Sequence, residues 1–145
     1  RIIMTKEQLV SMAKDARQLS YSPYSGYKVG AALLCKDGNV YTGCNIENAG
    51  FTPTVCAERT AFFKAIYDGE REFDKIAVAG GIDDQRLDVM CAPCGVCRQV
   101  LREFCNDDFV FLLGETTDSF KEVTLKDLLP LSFSPENVFY QYKIN

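Results

Sequence analysis

The run Lys28-Val29-Gly30-Ala31-Ala32-Leu33-Leu34-Cys35, the turn Lys36-Asp37-Gly38-Asn39 and the run Val40-Tyr41-Thr42-Gly43-Cys44 decide how this chain folds. Two short apolar segments flank an Asp-Gly pair. That pair suits a tight hairpin because its turn needs residues that accept positive φ. Upstream, Thr5 and Gln8 make a capping box, and Leu9, Met12, Ala13, Ala16 and Leu19 repeat with helical spacing. Ser20 to Gly26 (SYSPYSG) reads as loop. Downstream, the polar stretch Asn45-Ile46-Glu47-Asn48 leads to Pro53 and a helix from about Val55 to Tyr67, with Thr54 as its cap and Asp68-Gly69 as its stop. Lys75 to Ala79 predicts a buried strand, and Cys94 to Phe104 a helix. Phe109 to Leu113 and Phe120 to Leu125 predict two more strands, before a short helix from Thr124 that ends near Pro130. Strands alternating with helices imply an α/β layered domain around a mixed sheet, antiparallel at the start and parallel later.

Composition supports one domain over residues 1–145, with no linker, repeat or low-complexity tract to divide it. At 47% hydrophobic and 25% charged residues, the chain has the profile of a globular protein with a core of its own. No apolar run approaches the roughly 20 residues of a membrane helix, and the start Arg1-Ile2-Ile3-Met4 shows no secretory pattern. Those features predict a cytoplasmic protein with no membrane partner. Sixteen Lys and Arg against 20 Asp and Glu leave a net charge of −4 and no basic block, which argues against a nucleic-acid partner.

Histidine is absent, so Ser-His-Asp and Cys-His catalysis and HExxH metal sites are excluded. Seven cysteines, an odd number, fit metal binding or thiol chemistry better than a disulfide framework. Three of them fall where helices begin: Cys56, and the pair Cys94 and Cys97 after Pro93. A helix N-terminus carries partial positive charge and free N–H groups, which favour thiolate, the form a metal needs. Three thiolates would leave one position of a tetrahedral Zn²⁺ open, as in catalytic zinc sites. Glu58 lies two residues from Cys56, close enough to border that position and accept a proton from water there. Zinc with three thiolates is formally −1, and a guanidinium at Arg59 would offset that charge. Other chemistries share parts of this pattern. Cys94-x-x-Cys97 alone fits a redox pair or a structural zinc knuckle, and Cys91-x-x-Cys94-x-x-Cys97 with a distant Cys56 resembles an iron–sulfur run. Against the last, Ala92-Pro93 place Cys91 in the loop before the helix.

Taken together, Cys56-Ala57-Glu58-Arg59-Thr60 and Pro93-Cys94-Gly95-Val96-Cys97-Arg98-Gln99 resemble the small cytidine deaminases, the homotetrameric branch with a three-cysteine zinc site. The likeness extends over Tyr21-Ser22-Pro23-Tyr24-Ser25, Val29 to Leu33, Asn45 to Asn48 and Leu128-Leu129-Pro130. It implies a single three-layer α-β-α domain around a mixed five-stranded sheet. It also implies one Zn²⁺ per chain on Cys56, Cys94 and Cys97, with Glu58 shuttling protons between water, the pyrimidine N3 and the leaving amine. By the same resemblance, Arg59 bonds a ligand thiolate, the Ala57 N–H helps hold the base, and Asn45 and Glu47 grip a ribose hydroxyl. Tyr27 stands where the family often has Phe, packing on the base. Phe133 matches an aromatic that a neighbouring subunit lends to close the site, and Ala49 and Phe51 match a segment that also approaches a neighbour.

The implied function is zinc-dependent hydrolysis of cytidine and 2′-deoxycytidine to the uridine counterparts, on a small-molecule nucleoside in a homotetramer with shared sites. A blasticidin S deaminase uses the same zinc pattern, and a non-catalytic zinc-binding module would leave Glu58 without a purpose. Cys91 and Ala92 depart from the family pattern, in which Ser often precedes the Pro. Cys35, Cys44 and Cys105 read as buried small hydrophobes, and the tail from Pro135 has no assigned role.

Overall fold

The computed structural model describes residues 3–82, 90–115 and 119–143. Helix α1 (Lys6–Ala16) precedes the hairpin strands β1 (Lys28–Cys35) and β2 (Val40–Cys44). Then come α2 (Ala57–Tyr67), β3 (Phe73–Gly81), α3 (Gly95–Phe104), β4 (Val110–Gly114) and β5 (Phe120–Thr124). The chain closes with α4 (Leu125–Leu128) and α5 (Pro135–Lys143). The five strands form one mixed sheet in the order β2-β1-β3-β4-β5. β1 is antiparallel to both β2 and β3, β3 is parallel to β4, and β4 is antiparallel to β5.

Helices cover both faces of that sheet. Along β1 the side chains alternate: Ala31 and Leu33 meet α2 and α3, whereas Ala32 and Leu34 meet α1. The α1 layer packs Leu9, Val10 and Ala13 on Ala77, Ala79 and Leu112. The opposite layer packs Ala61, Phe62 and Leu101 on Ile76, Val78, Phe111 and Leu113. Phe62 is fully buried, with its ring centroid 4.4 Å from Phe73 and 5.7 Å from Phe104. Burial of one such side chain contributes about 1.5–3 kcal/mol. The three central strands are therefore near-continuously apolar, while the edge strand β5 exposes Lys121 and Glu122.

Direction along the sheet locates the functional end. β2, β3 and β4 all run the same way, because β1 between β2 and β3 opposes both. Helix α2 follows β2 and helix α3 follows β3 on one face, so both begin at the carboxyl edge of the sheet, where open α/β folds bind ligands. Gly43 sets how closely α2 sits: a Cβ there would lie 2.5 Å from the Ala61 N.

Several boundaries differ from the sequence reading. The N-cap of α2 is Cys56 rather than Thr54, and that of α3 is Cys94 itself. Helix α1 stops at Ala16 and tightens into a 3₁₀ turn over Arg17–Leu19, which leaves Leu19 79% exposed instead of on the buried stripe. Arg17 ends the stripe by turning inward, donating to the Lys28 and Gly81 carbonyls. Strand β3 starts at Phe73, two residues earlier than its apolar run suggests, and the tail from Pro135 is a helix. Cys35 and Cys105 are buried as expected, but Cys44 is only half-buried, its thiol facing the Leu19 carbonyl. Most of the Gly81–Met90 loop lies outside the described residues.

Candidate active site

The heads of α2 and α3 converge, and each carries a cysteine as its N-cap. Cys56 and Cys94 have extended backbone (ψ 157° and 166°) and make no side-chain capping bond, so each helix starts with a thiol beside its unpaired N–H groups. Cys97 lies three residues on from Cys94, one turn into α3, and is fully buried. The Cys56 and Cys94 Sγ atoms are 3.6 Å apart, and all three Sγ atoms lie within 4.8 Å of one another. Tetrahedral Zn–S bonds of about 2.3 Å require sulfur atoms about 3.8 Å apart, so the three thiols fit zinc with little movement. Cys91 is not part of that group, and among the described residues no fourth thiol joins it. The four-cysteine iron–sulfur reading therefore has no matching arrangement.

Charge around the thiols favours a cation. Cys56 is pulled down to about 5, chiefly by the hydrogen bond from the Cys97 thiol, with Arg59 and Cys94 also donating. Cys97 is pushed up, first by giving that hydrogen bond to Cys56 and then by burial. One thiolate thus forms easily and its charge holds the next proton on, a barrier that a dication removes. Arg59 Nη2 lies 3.4 Å from Cys56 Sγ and donates to it. Its buried Nε has no hydrogen-bond partner among the described residues.

Glu58 is 3% exposed, in the first turn of α2, with Oε2 3.5 Å from Cys97 Sγ. Burial raises its pKa above the ordinary carboxylate range, and the Cys56 charge adds to the rise. A carboxyl whose pKa is raised in this way takes up a proton more readily than an exposed one and can hand it on. Ala57 is the first residue of α2 and fully buried, with an N–H that has no partner inside the helix.

Asn45 and Glu47 act on the loop beside this centre. Asn45 Oδ1 accepts from the Val29 N–H at 2.9 Å and from the Ser20 hydroxyl, and Nδ2 donates to the Tyr27 carbonyl at 2.8 Å. Its second N–H has no partner among the described residues. Glu47 accepts from the Ser25 hydroxyl and from the N–H groups of Ser25 and Tyr24, at 3.1 and 3.0 Å. The Ser25 hydroxyl in particular holds its carboxylate below the usual range. Both residues brace the Tyr24–Tyr27 segment, a structural task their sequence positions did not reveal.

The structure brings Cys56, Glu58, Arg59, Cys94 and Cys97 together, with Ala57 among them. Phe133 is 64% exposed, its carbonyl accepting from Gln99 Nε2 at 2.9 Å. Phe51 is 74% exposed at a positive φ of 60°, and Ala49 is exposed. Arg98 was missed as a supporting residue: it donates to the Pro93 and Leu128 carbonyls, both at 2.7 Å, and so fixes the chain entering Cys94. The available signal was a cation near a helix N-terminus, where it is disfavoured unless it has partners.

Two helix heads that aim three thiols and a buried carboxyl at one point, at the carboxyl edge of a mixed sheet, define a zinc hydrolase site. A family model described as the cytidine and deoxycytidylate deaminase zinc-binding region matches residues 4–113. Among curated proteins, a cytidine deaminase of Sporosarcina psychrophila is 46% identical over 94% of this chain and 97% of its own length. One from Halalkalibacterium halodurans is 45% identical over 93% and 98%. The crystal structure of a cytidine deaminase from Burkholderia pseudomallei superposes with a TM-score of 0.82 at 43% identity, covering 90% of this chain and all of that one. The chain belongs to the cytidine and deoxycytidylate deaminase family, and its cofactor is zinc. Among the described residues no helix is long and apolar enough to cross a membrane.

Proposed function

We propose that this chain hydrolyses cytidine and 2′-deoxycytidine to uridine and 2′-deoxyuridine, holding one zinc on Cys56, Cys94 and Cys97 and moving protons on Glu58. The observation that carries the reading is the buried Glu58 carboxyl 3.5 Å from the Cys97 thiol, beside three sulfurs spaced for zinc. When bound, zinc supplies the Lewis acidity that makes a water reactive near neutral pH. Glu58 takes the proton of that water and passes it to N3 of the base, so C4 becomes electrophilic as the C4–O bond forms. It then carries a second proton to the amino group, the C4–N bond breaks, and ammonia leaves with the uracil base restored. Arg59 stabilises the Cys56 thiolate, and the Ala57 N–H holds the base against the start of α2. The second N–H of Asn45 and the remaining acceptor capacity of Glu47 suit a ribose hydroxyl. Tyr27 lines the flat face of the base.

We read residues 1–145 as one catalytic domain that works as a homotetramer. Phe51 at a strained φ, Leu131 (φ 53°) and Phe133 all expose large apolar side chains. An exposed aromatic gains most by entering a neighbour's pocket, and Phe133 is our donor. The reading includes a reducing cytoplasmic setting, which suits three unpaired thiols, and neither nucleic acid nor membrane as partner.

Ultraviolet absorbance of zinc-quantified protein with cytidine, cytosine, CMP and blasticidin S in turn tests the assignment. Turnover of cytidine with little of the other three is expected. Comparable turnover of cytosine or CMP would remove Asn45 and Glu47 from sugar recognition, and preference for blasticidin S would replace the nucleoside.

A further inference from the structure

Helix α3 buries Cys97 and Leu101, and its Arg98, Gln99 and Arg102 reach across to the segment between α4 and α5. Arg98 Nη1 donates to the Leu128 carbonyl at 2.7 Å, Arg102 Nε to the Ser132 hydroxyl at 2.8 Å and Gln99 Nε2 to the Phe133 carbonyl at 2.9 Å. Arg102 is tied at its other side too, Nη1 donating to the Cys105 carbonyl at 2.8 Å. Among the described residues, Leu131, Ser132 and Phe133 make no hydrogen bond between main-chain groups, so side chains of α3 supply the polar ties of this stretch. Main-chain pairing resumes at Ser134, whose carbonyl accepts from the Asn137 N–H. Leu131 has a positive φ of 53°, a conformation that costs a bulky residue strain and persists only where flanking contacts impose it. In that conformation Leu131 and Phe133 are exposed while Ser134 is buried.

We propose that Gln99 and Arg102 are positioning residues for a neighbouring subunit's active site: from the helix that carries Cys97 they fix the Leu131–Phe133 segment, and through it the direction of the Phe133 ring. The proposal rests on the reading that Phe133 enters a neighbour's pocket. An untied segment leaves the ring spread over many directions. Closing it over a bound base then costs the ordering entropy that a held segment has already lost. The bonds therefore act across the subunit boundary: a chain that lacks them keeps its own zinc centre and weakens the pocket of its neighbour.

The test uses zinc-loaded protein and reads kcat and KM for cytidine together with zinc content. Gln99→Ala removes the bond to Phe133 at an exposed helix position, where Ala is well tolerated. It is expected to raise KM about three- to tenfold, with kcat within about twofold and zinc content unchanged. Gln99→Glu keeps the size and loses the donor, so it should do the same. Ser132→Ala cuts the bond of Arg102 from the far side and leaves its bond to Cys105 in place, with the same result expected. An unchanged KM in both Gln99 variants overturns the role of Gln99, and in Ser132→Ala that of Arg102. Mixed assemblies decide whether the action crosses between subunits. Tagged Gln99→Ala chains, co-expressed with a large excess of Glu58→Gln chains, supply the competent carboxyl and take Phe133 from chains with an intact Gln99. Their KM should return to within about twofold of the parent's; a KM that stays raised places the effect in the chain's own site and overturns the proposal. Gln99→Ala added to Phe133→Ala should raise KM no further, and multiplying effects would overturn the route through the ring. Phe133→Ala separates the two levels. Unchanged KM there, or no co-purification of the two chains, removes the neighbour's-pocket reading and the proposal with it; a raised KM there beside an unchanged Gln99→Ala overturns the proposal alone.

Discussion

Gly43→Ala perturbs the joint that sets the height of α2 above the sheet. The new Cβ would lie 2.5 Å from the Ala61 N and 2.6 Å from the Ala57 carbonyl, both backbone atoms with no side chain to swing aside. Ordinary contact begins at 3.4 Å, so α2 must lift by about 1 Å. Overpacking of this kind costs about 1–3 kcal/mol, which at this chain length is roughly 3–9 °C of Tm. The same helix carries Cys56 and Glu58 in its first turn, whereas Cys94 and Cys97 ride on α3 and need not follow. A displacement of about 1 Å between groups that must act together can lower kcat/KM by about 10²-fold. The assay is a thermal melt with zinc content and turnover per bound zinc measured on the same preparation. Gly95→Ala is the contrast: that position in α3 has open space and ordinary backbone, so up to about 1 kcal/mol of added stability is expected. A Gly43→Ala protein melting within about 1 °C of the parent would refute the close-contact reasoning. A lower Tm with unchanged turnover per zinc would refute the coupling of α2 height to the site.

Glu58→Gln should retain zinc and lose about 10²–10⁴-fold in turnover, since the amide keeps its size but carries no proton; metal analysis with steady-state kinetics decides it. Cys94→Ala should lose zinc and activity together, while Cys91→Ser keeps its zinc, and iron with sulfide in purified protein would contradict both. Phe133→Ala should raise KM with zinc content unchanged, and mixing it with Glu58→Gln should recover some activity through hybrid sites; a fully active monomer in sedimentation would end that idea. Glu47 has a lowered pKa, so its hold on Tyr24 and Ser25 is complete above the ordinary glutamate range and is lost as pH falls through the lowered folded value. Protection of those two amides, taken relative to their intrinsic exchange rate, should therefore be lost only as pH falls below the ordinary glutamate range, and a loss of protection near neutrality would contradict the assignment.

The hairpin, the five strands and the chemistry of the three cysteines were legible in the sequence because each rests on local rules. An Asp-Gly turn, apolar runs of strand length and thiols at helix starts need only neighbouring residues to be understood. The capping box of Thr5 and Gln8 was legible for the same reason, and it is present with both of its hydrogen bonds. The end of the α1 stripe was not legible: Leu19 keeps helical spacing, but the bonds of Arg17 to the Lys28 and Gly81 carbonyls turn the chain before it. The tail helix was hidden as well, because nine residues lacking a clear apolar stripe give no strong period. Only the tertiary structure could decide that the heads of α2 and α3 meet, since that depends on β1 lying between β2 and β3 and opposing both. It alone joined Tyr27 to Cys91, 64 positions later, over a glycine whose missing side chain makes room for them. Local sequence records what each segment prefers; contact between distant segments depends on strand order and direction, which that local pattern does not encode.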